Sequence, residues 1–141
     1  MPNASSTATA TRLTGEFEIT GWDEATYEER DGGRKLTRAS VGQDLHGDVT
    51  GSGHAEWLMS YQDDGTARFV GLQRLEGTID GRAGTVVVES VGDFDGKKAK
   101  GRWTVVPGSG TAGWSGMKGK GRFEAPLGPK ATFTLDCEFP A

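Results

Sequence analysis

The sequence predicts an all-β protein, a single eight-stranded antiparallel up-and-down β-barrel. Three observations carry this. Apolar residues recur at every second position in short runs, and no stretch keeps a helical spacing over three turns. Asp-Gly pairs and other turn signals separate the runs. Glycine makes up 23 of the 141 residues, spread without a collagen-like period, as bulges, bends and tight turns require.

The elements follow in order. Residues 1–12 are rich in Ser, Thr and Ala without an apolar period, and read as a disordered tail before one barrel domain over 13–141. Leu13 to Trp22 puts Leu13, Phe17 and Ile19 on one face. Arg30 to Gly33 is a turn. Leu36 to Val49 carries Ala39, Val41 and Leu45 on one face, and Thr50 to Gly53 turns the chain again. His54 to Tyr61 alternates Trp57, Met59 and Tyr61 against Glu56, Leu58 and Ser60. After the turn Gln62 to Gly65, Ala67 to Ile79 aligns Phe69, Gly71, Gln73 and Leu75. Asp80-Gly81 leads into the Val-rich run Thr85 to Phe94, and Asp95-Gly96 into Ala99 to Val106 with Trp103 and Val105 together. A Gly-rich stretch from Pro107 to Gly121 precedes two last strands, near Gly121 to Ala125 and Ala131 to Phe139.

Short turns make sequential strands pair antiparallel. Closure removes the exposed edges that such a sheet otherwise carries, and about eight strands enclose packed side chains or one small ligand. A two-sheet sandwich is the structural alternative.

Composition narrows the function. The chain has the length of one domain, and a domain of this size buries roughly 70% of its unfolded surface. Net charge is −4, from 16 basic and 20 acidic residues with the signs interspersed, so no nucleic-acid footprint is present. No apolar run suits a membrane span or a signal peptide, and no membrane partner is expected. The single cysteine, Cys137, precludes an intramolecular disulfide and a cysteine zinc site and fits a cytoplasmic location.

Several segments together carry a resemblance. They are Trp22-Asp23-Glu24, Gly32 to Ala39, Glu56 to Tyr61, Phe69 to Arg74, Val105 to Thr111 and Thr134-Leu135-Asp136. In this order they resemble the bacterial family called domain of unknown function 3224, over nearly all the chain after residue 12. That family is grouped with the allene oxide cyclase-like barrels, and Gly110 to Gly119 is similar to a Gly-rich segment of plant allene oxide cyclases and dirigent proteins. The resemblance implies an eight-stranded barrel whose relatives cyclise fatty-acid epoxides, guide radical coupling or close spiro rings. The family pattern commonly has Glu, Tyr and Tyr where this chain has Gln73, Trp57 and Cys137.

The residues offer candidate chemistry, each beside a plainer reading. Glu56 sits in an otherwise apolar strand. Facing inward it would be a carboxylate with a raised pKa, a general acid or base; facing solvent it leaves Trp57, Met59 and Tyr61 to fill the core. Tyr61 and then Glu89 follow as catalytic candidates. Gln73 can orient a ligand carbonyl or bond a neighbouring strand. Trp57, Phe69 and Trp103 can line an aromatic pocket or fill the core. Arg38 can hold a substrate carboxylate, though it shares the face opposite Ala39 and Val41 and a solvated role is the plainer one. His54 and Glu56 share a strand face but lack further ligands, so no metal site is expected. Pro107 to Thr111 is a structural turn or an anion nest. Cys137 reads as an inert core thiol.

Two functions follow. One is a cofactor-independent cyclase or isomerase acting on a small apolar organic molecule, in which the cavity supplies orientation. The other is a lipocalin-like binder without turnover. A filled barrel acting as a homo-oligomeric scaffold is a third possibility.

Overall fold

Period-two alternation becomes nine antiparallel strands in the computed structural model, which describes residues 9–140. They are β1 (Thr9–Glu29), β2 (Lys35–Gly47), β3 (Thr50–Tyr61), β4 (Ala67–Ile79), β5 (Arg82–Phe94), β6 (Lys98–Val105), β7 (Thr111–Ala112), β8 (Lys118–Pro126) and β9 (Lys130–Phe139). Each long strand pairs antiparallel with two other long strands. β4 pairs with β5, and β1 with both β2 and β9, so eight strands close into a barrel. The two-residue β7 lies on the end of β5, beyond the reach of β6.

The alternation places the core. Leu13 and Phe17 of β1, Ala39, Val41 and Leu45 of β2, and Phe133, Leu135, Cys137 and Phe139 of β9 are all buried inside, as their strand phase predicts. Trp57, Met59, Phe69 and Leu75 face the same interior from β3 and β4. The Asp80-Gly81 turn has positive φ at both residues, 47° and 79°, the backbone that lets two twisted strands join through two residues.

The two ends differ. At one, the segment between β6 and β8 folds across the opening. Trp114 there is fully buried and its indole Nε1 donates to the Arg82 carbonyl at 2.9 Å, with Met117 buried beside it. Ser109 pins the same segment: its Oγ accepts from Val87 N at 3.1 Å and donates to Val87 O at 3.2 Å. At the other end the β1–β2, β3–β4, β5–β6 and β8–β9 connections surround an open mouth.

Three boundaries depart from expectation. Thr9 to Arg12 pair with Phe139 to Asp136, so this part of the expected tail is strand; the expectation for residues 1–8 lies outside the described residues. Pairing with an existing edge satisfies the backbone even where the side chains carry no apolar period. The β2–β3 turn falls at Asp48 and Val49 rather than at Thr50 to Gly53, because the Asp48 carboxylate accepts from Thr14 N at 2.9 Å and holds the corner. β1 continues past Trp22 to Glu29, with register shifts between Ile19 and Gly21 and between Thr26 and Glu28.

Candidate functional site: the barrel mouth

Inward positions near the open end are large and apolar, and they do not meet at the axis. They leave a cavity of about 350 Å³ lined chiefly by Phe17, Trp22, Trp57, Met59, Phe69 and Phe123, with Leu127 to Pro129 as a lip. The lip belongs to the β8–β9 connection and is tied to β1 by a hydrogen bond from Ile19 N to Pro129 O at 2.7 Å. Trp57 stacks on Phe123, with ring centroids 6.1 Å apart and planes 15° from parallel. Trp22, half exposed at the rim, leans on Trp57 with centroids 6.0 Å apart.

A carboxylate stands at this rim, and it is Glu24. Thr20 is the extra residue of the first register shift in β1, so the strand changes phase there. Beyond it Trp22 lies opposite inward Val41 and Glu24 opposite inward Ala39. Glu24 Oε2 accepts from Thr37 Oγ1 at 2.7 Å and from the Tyr61 hydroxyl at 2.8 Å, and Oε1 accepts from Trp22 Nε1 at 3.0 Å. Partial burial pushes the Glu24 pKa up, but the hydrogen bonds from Thr37, Tyr61 and Trp22, with the charge of Lys35, hold it below the ordinary value. Glu24 is therefore ionised. Tyr61 shows the converse: burial first, then the Glu24 carboxylate, push its phenol well above the ordinary range, so it stays protonated. Tyr61 also lines the cavity. Strict alternation from Phe17 and Ile19 assigns Glu24 to the outer face, and for that reason sequence reasoning missed it.

Glu56 is on the outer face. Its carboxylate accepts from Ser40 Oγ at 2.9 Å and from Arg38 Nε at 2.9 Å, and it contacts His54 Nε2. Hydrogen bonds from Ser40, His54 and Arg38 lower its pKa to about 2, the opposite of the rise an inward carboxylate requires. This removes the ground for Glu56 as a general acid or base inside the barrel. Arg38 is exposed beside it and is not available to a molecule in the cavity. Glu89 is exposed on β5, between the outward Leu72 and Thr104. His54 and Glu56 do meet, but no group of three or more His, Cys, Asp or Glu that could hold a metal ion occurs among the described residues.

The remaining candidates face inward. Trp57 and Phe69 line the cavity. Trp103 is buried deeper, 5.3 Å from the Phe133 centroid and 5.7 Å from that of Phe123. Gln73 is fully buried inside the barrel, and its Nε2 donates to Gln43 Oε1 at 2.6 Å. Gln43 was not singled out, although its position in phase with Val41 and Leu45 places it inside. Cys137 is buried in the apolar core, and burial raises its thiol pKa to about 11, so it is an inert thiol.

Fold and mouth together define a small closed β-barrel, sealed at one end and open through an aromatic chamber at the other. The chain belongs to the family described as protein of unknown function (DUF3224), whose model matches residues 13–137. It is similar to a crystal structure of a protein with unknown function from the DUF3224 family of Shewanella oneidensis MR-1. The two are 22% identical with a TM-score of 0.79, over 94% of this chain and 100% of that one. That likeness shows the fold. No curated protein matches the chain.

Proposed function

We propose that this protein binds a small, mainly apolar organic molecule in the mouth of its barrel. The observation that supports the reading is the cavity itself, about 350 Å³ and walled by aromatic rings in a barrel whose other end is sealed. Apolar walls with a few placed polar groups are what small-molecule sites share. A barrel serving as a filled scaffold has no use for such a chamber. Binding without turnover, in the manner of a lipocalin, is the simpler form, because Glu56 and Glu89 face solvent. The test is titration with the neutral dye Nile red, followed by its emission and by tryptophan quenching. Saturable binding is expected, and Met59→Trp, which adds bulk to the cavity wall, is expected to weaken it at least tenfold. Dye binding insensitive to that change would place the dye elsewhere and sink the reading.

A cofactor-independent cyclase or isomerase remains the second reading, in keeping with the allene oxide cyclase-like resemblance. The observation favouring it is the Tyr61–Glu24 pair at the rim, a protonated phenol beside an ionised carboxylate. Such a pair can give and receive a proton. Isomerisation leaves mass unchanged, so the measurement is chromatographic retention of the molecule that co-purifies with wild type and with Tyr61→Phe. Different isomers on the two proteins support turnover. The same compound on both supports a binder.

A further inference from the structure

Below the aromatic chamber the barrel interior is not uniformly apolar. Strand register places Trp57, Gly71, Ser90 and Trp103 in one inward-facing row across β3, β4, β5 and β6. Trp57 Nε1, Ser90 Oγ and Trp103 Nε1 are buried and have no hydrogen-bond partner among the described residues. Gln73, two residues further along β4, keeps its Oε1 unpartnered, and Gln43 its Nε2. Ser90 and Gln73 are both fully buried. Orphaned polar atoms in an interior are costly, so these five among the described residues call for a partner.

The row adjoins the chamber. Trp57 belongs to both: it lines the cavity, and its Nε1 is one of the unpartnered groups, whereas Ser90 and Trp103 lie next along the row, behind the lining. Phe69, the next inward residue of β4 toward the mouth, lines the cavity directly above Gly71. Gly71 contributes no side chain to the wall between Trp57 and Ser90. A β-carbon there would collide with the Glu56 carbonyl of the neighbouring strand.

We propose that the molecule held in the mouth carries an uncharged carbonyl oxygen, and that the row of Trp57, Ser90 and Trp103 receives it. The proposal rests on the ligand-binding reading and names the ligand's class. Two of the row's three unpartnered groups, Trp57 Nε1 and Trp103 Nε1, are N–H donors, and the third, the Ser90 hydroxyl, can donate as well as accept, so the row fits an acceptor oxygen. Its neutrality follows from the surroundings. No charged side chain is buried among the described residues, and Glu24 at the rim is an anion. A carboxylate brought to this depth would lose its hydration without gaining a counter-charge.

The experiment compares three matched probes on the full chain: 4-phenyl-2-butanone, butylbenzene and 4-phenylbutanoate. Affinities come from tryptophan fluorescence, and the indole N–H resonances of Trp57 and Trp103 are followed by ¹⁵N NMR. Hydrophobic transfer alone ranks the hydrocarbon first. The expected result is that the ketone binds at least as tightly as butylbenzene and shifts both indole resonances. Ser90→Ala and Trp103→Phe each weaken the ketone about 3–10-fold, the share of one hydrogen bond, and leave butylbenzene unchanged. Butylbenzene binding tighter than the ketone, with indole resonances unmoved, would overturn the proposal while leaving the chamber a binding site; this is also the outcome if the row holds only water. Tightest binding of the carboxylate would overturn it too. No binding of any probe would remove the ligand-binding reading itself.

Discussion

Two glutamates on opposite faces of the barrel wall are held as anions by hydrogen bonds. Glu56 is an anion on the outer face, with Ser40, His54 and Arg38 as donors. Its folded pKa of about 2 lies below that of an unfolded glutamate. It therefore adds stability that is complete above the unfolded value and is lost as pH falls through the folded one. Because the Arg38–Glu56 pair is well exposed, that contribution is under about 1 kcal/mol. Glu56→Gln is expected to melt slightly below wild type at pH 7 and to converge with it as pH approaches about 2, with Nile red affinity unchanged; thermal melts across pH check this. Glu24 follows the same sign, since its folded pKa is also lowered. Tyr61→Phe removes one of the hydrogen bonds that lower it, so the Glu24 pKa is expected to rise, read by carboxyl ¹³C titration. A Glu24 pKa that did not move would mean the phenol contact does not form in solution.

At the scale of the element, β1 does the most, because it pairs with β2 along one edge and with β9 along the other. Its first residues, Thr9 to Arg12, close the barrel against the end of β9. The Arg12–Asp136 ion pair is more than half exposed and contributes little, so the backbone ladder is the stabilising part. A chain starting at Leu13 leaves the last residues of β9 unpaired on that side. It is expected to melt at least about 5 °C below a chain starting at Thr9, a shift on the order of 1–2 kcal/mol for a domain this size. Equal melting temperatures would show that the ladder over Thr9 to Arg12 adds no stability.

For the whole molecule, the two ends differ in packing. The sealed end is packed around Trp114, which is fully buried, and the open end is the chamber. Trp114→Ala is expected to cost about 3–5 kcal/mol and lower the melting temperature by more than about 10 °C. Nile red affinity at temperatures where the variant is folded should stay within about twofold, since additivity holds for sites without shared partners. A large loss of affinity would mean that packing at the sealed end sets the shape of the mouth.

Local chemistry determined most of the architecture. The inward phase of β2, β3, β4, β6 and β9 was legible because each strand alternates without interruption, and a residue's face then follows from its position alone. That phase also placed Trp57, Phe69, Gln73 and Trp103 inside, and it supported the plainer, solvent-facing reading of Glu56. The tertiary structure decided what alternation cannot carry. The extra residue at Thr20 is recognised by pairing with β2, and it turns Glu24 inward. The β1–β9 ladder makes strand of Thr9 to Arg12, whose own side chains signal none. The row of unpartnered groups exists because Trp57, Ser90 and Trp103, far apart along the chain, are brought level by the register of four strands. Which polar atoms are left without partners depends on every strand around them, so no single segment of sequence records it.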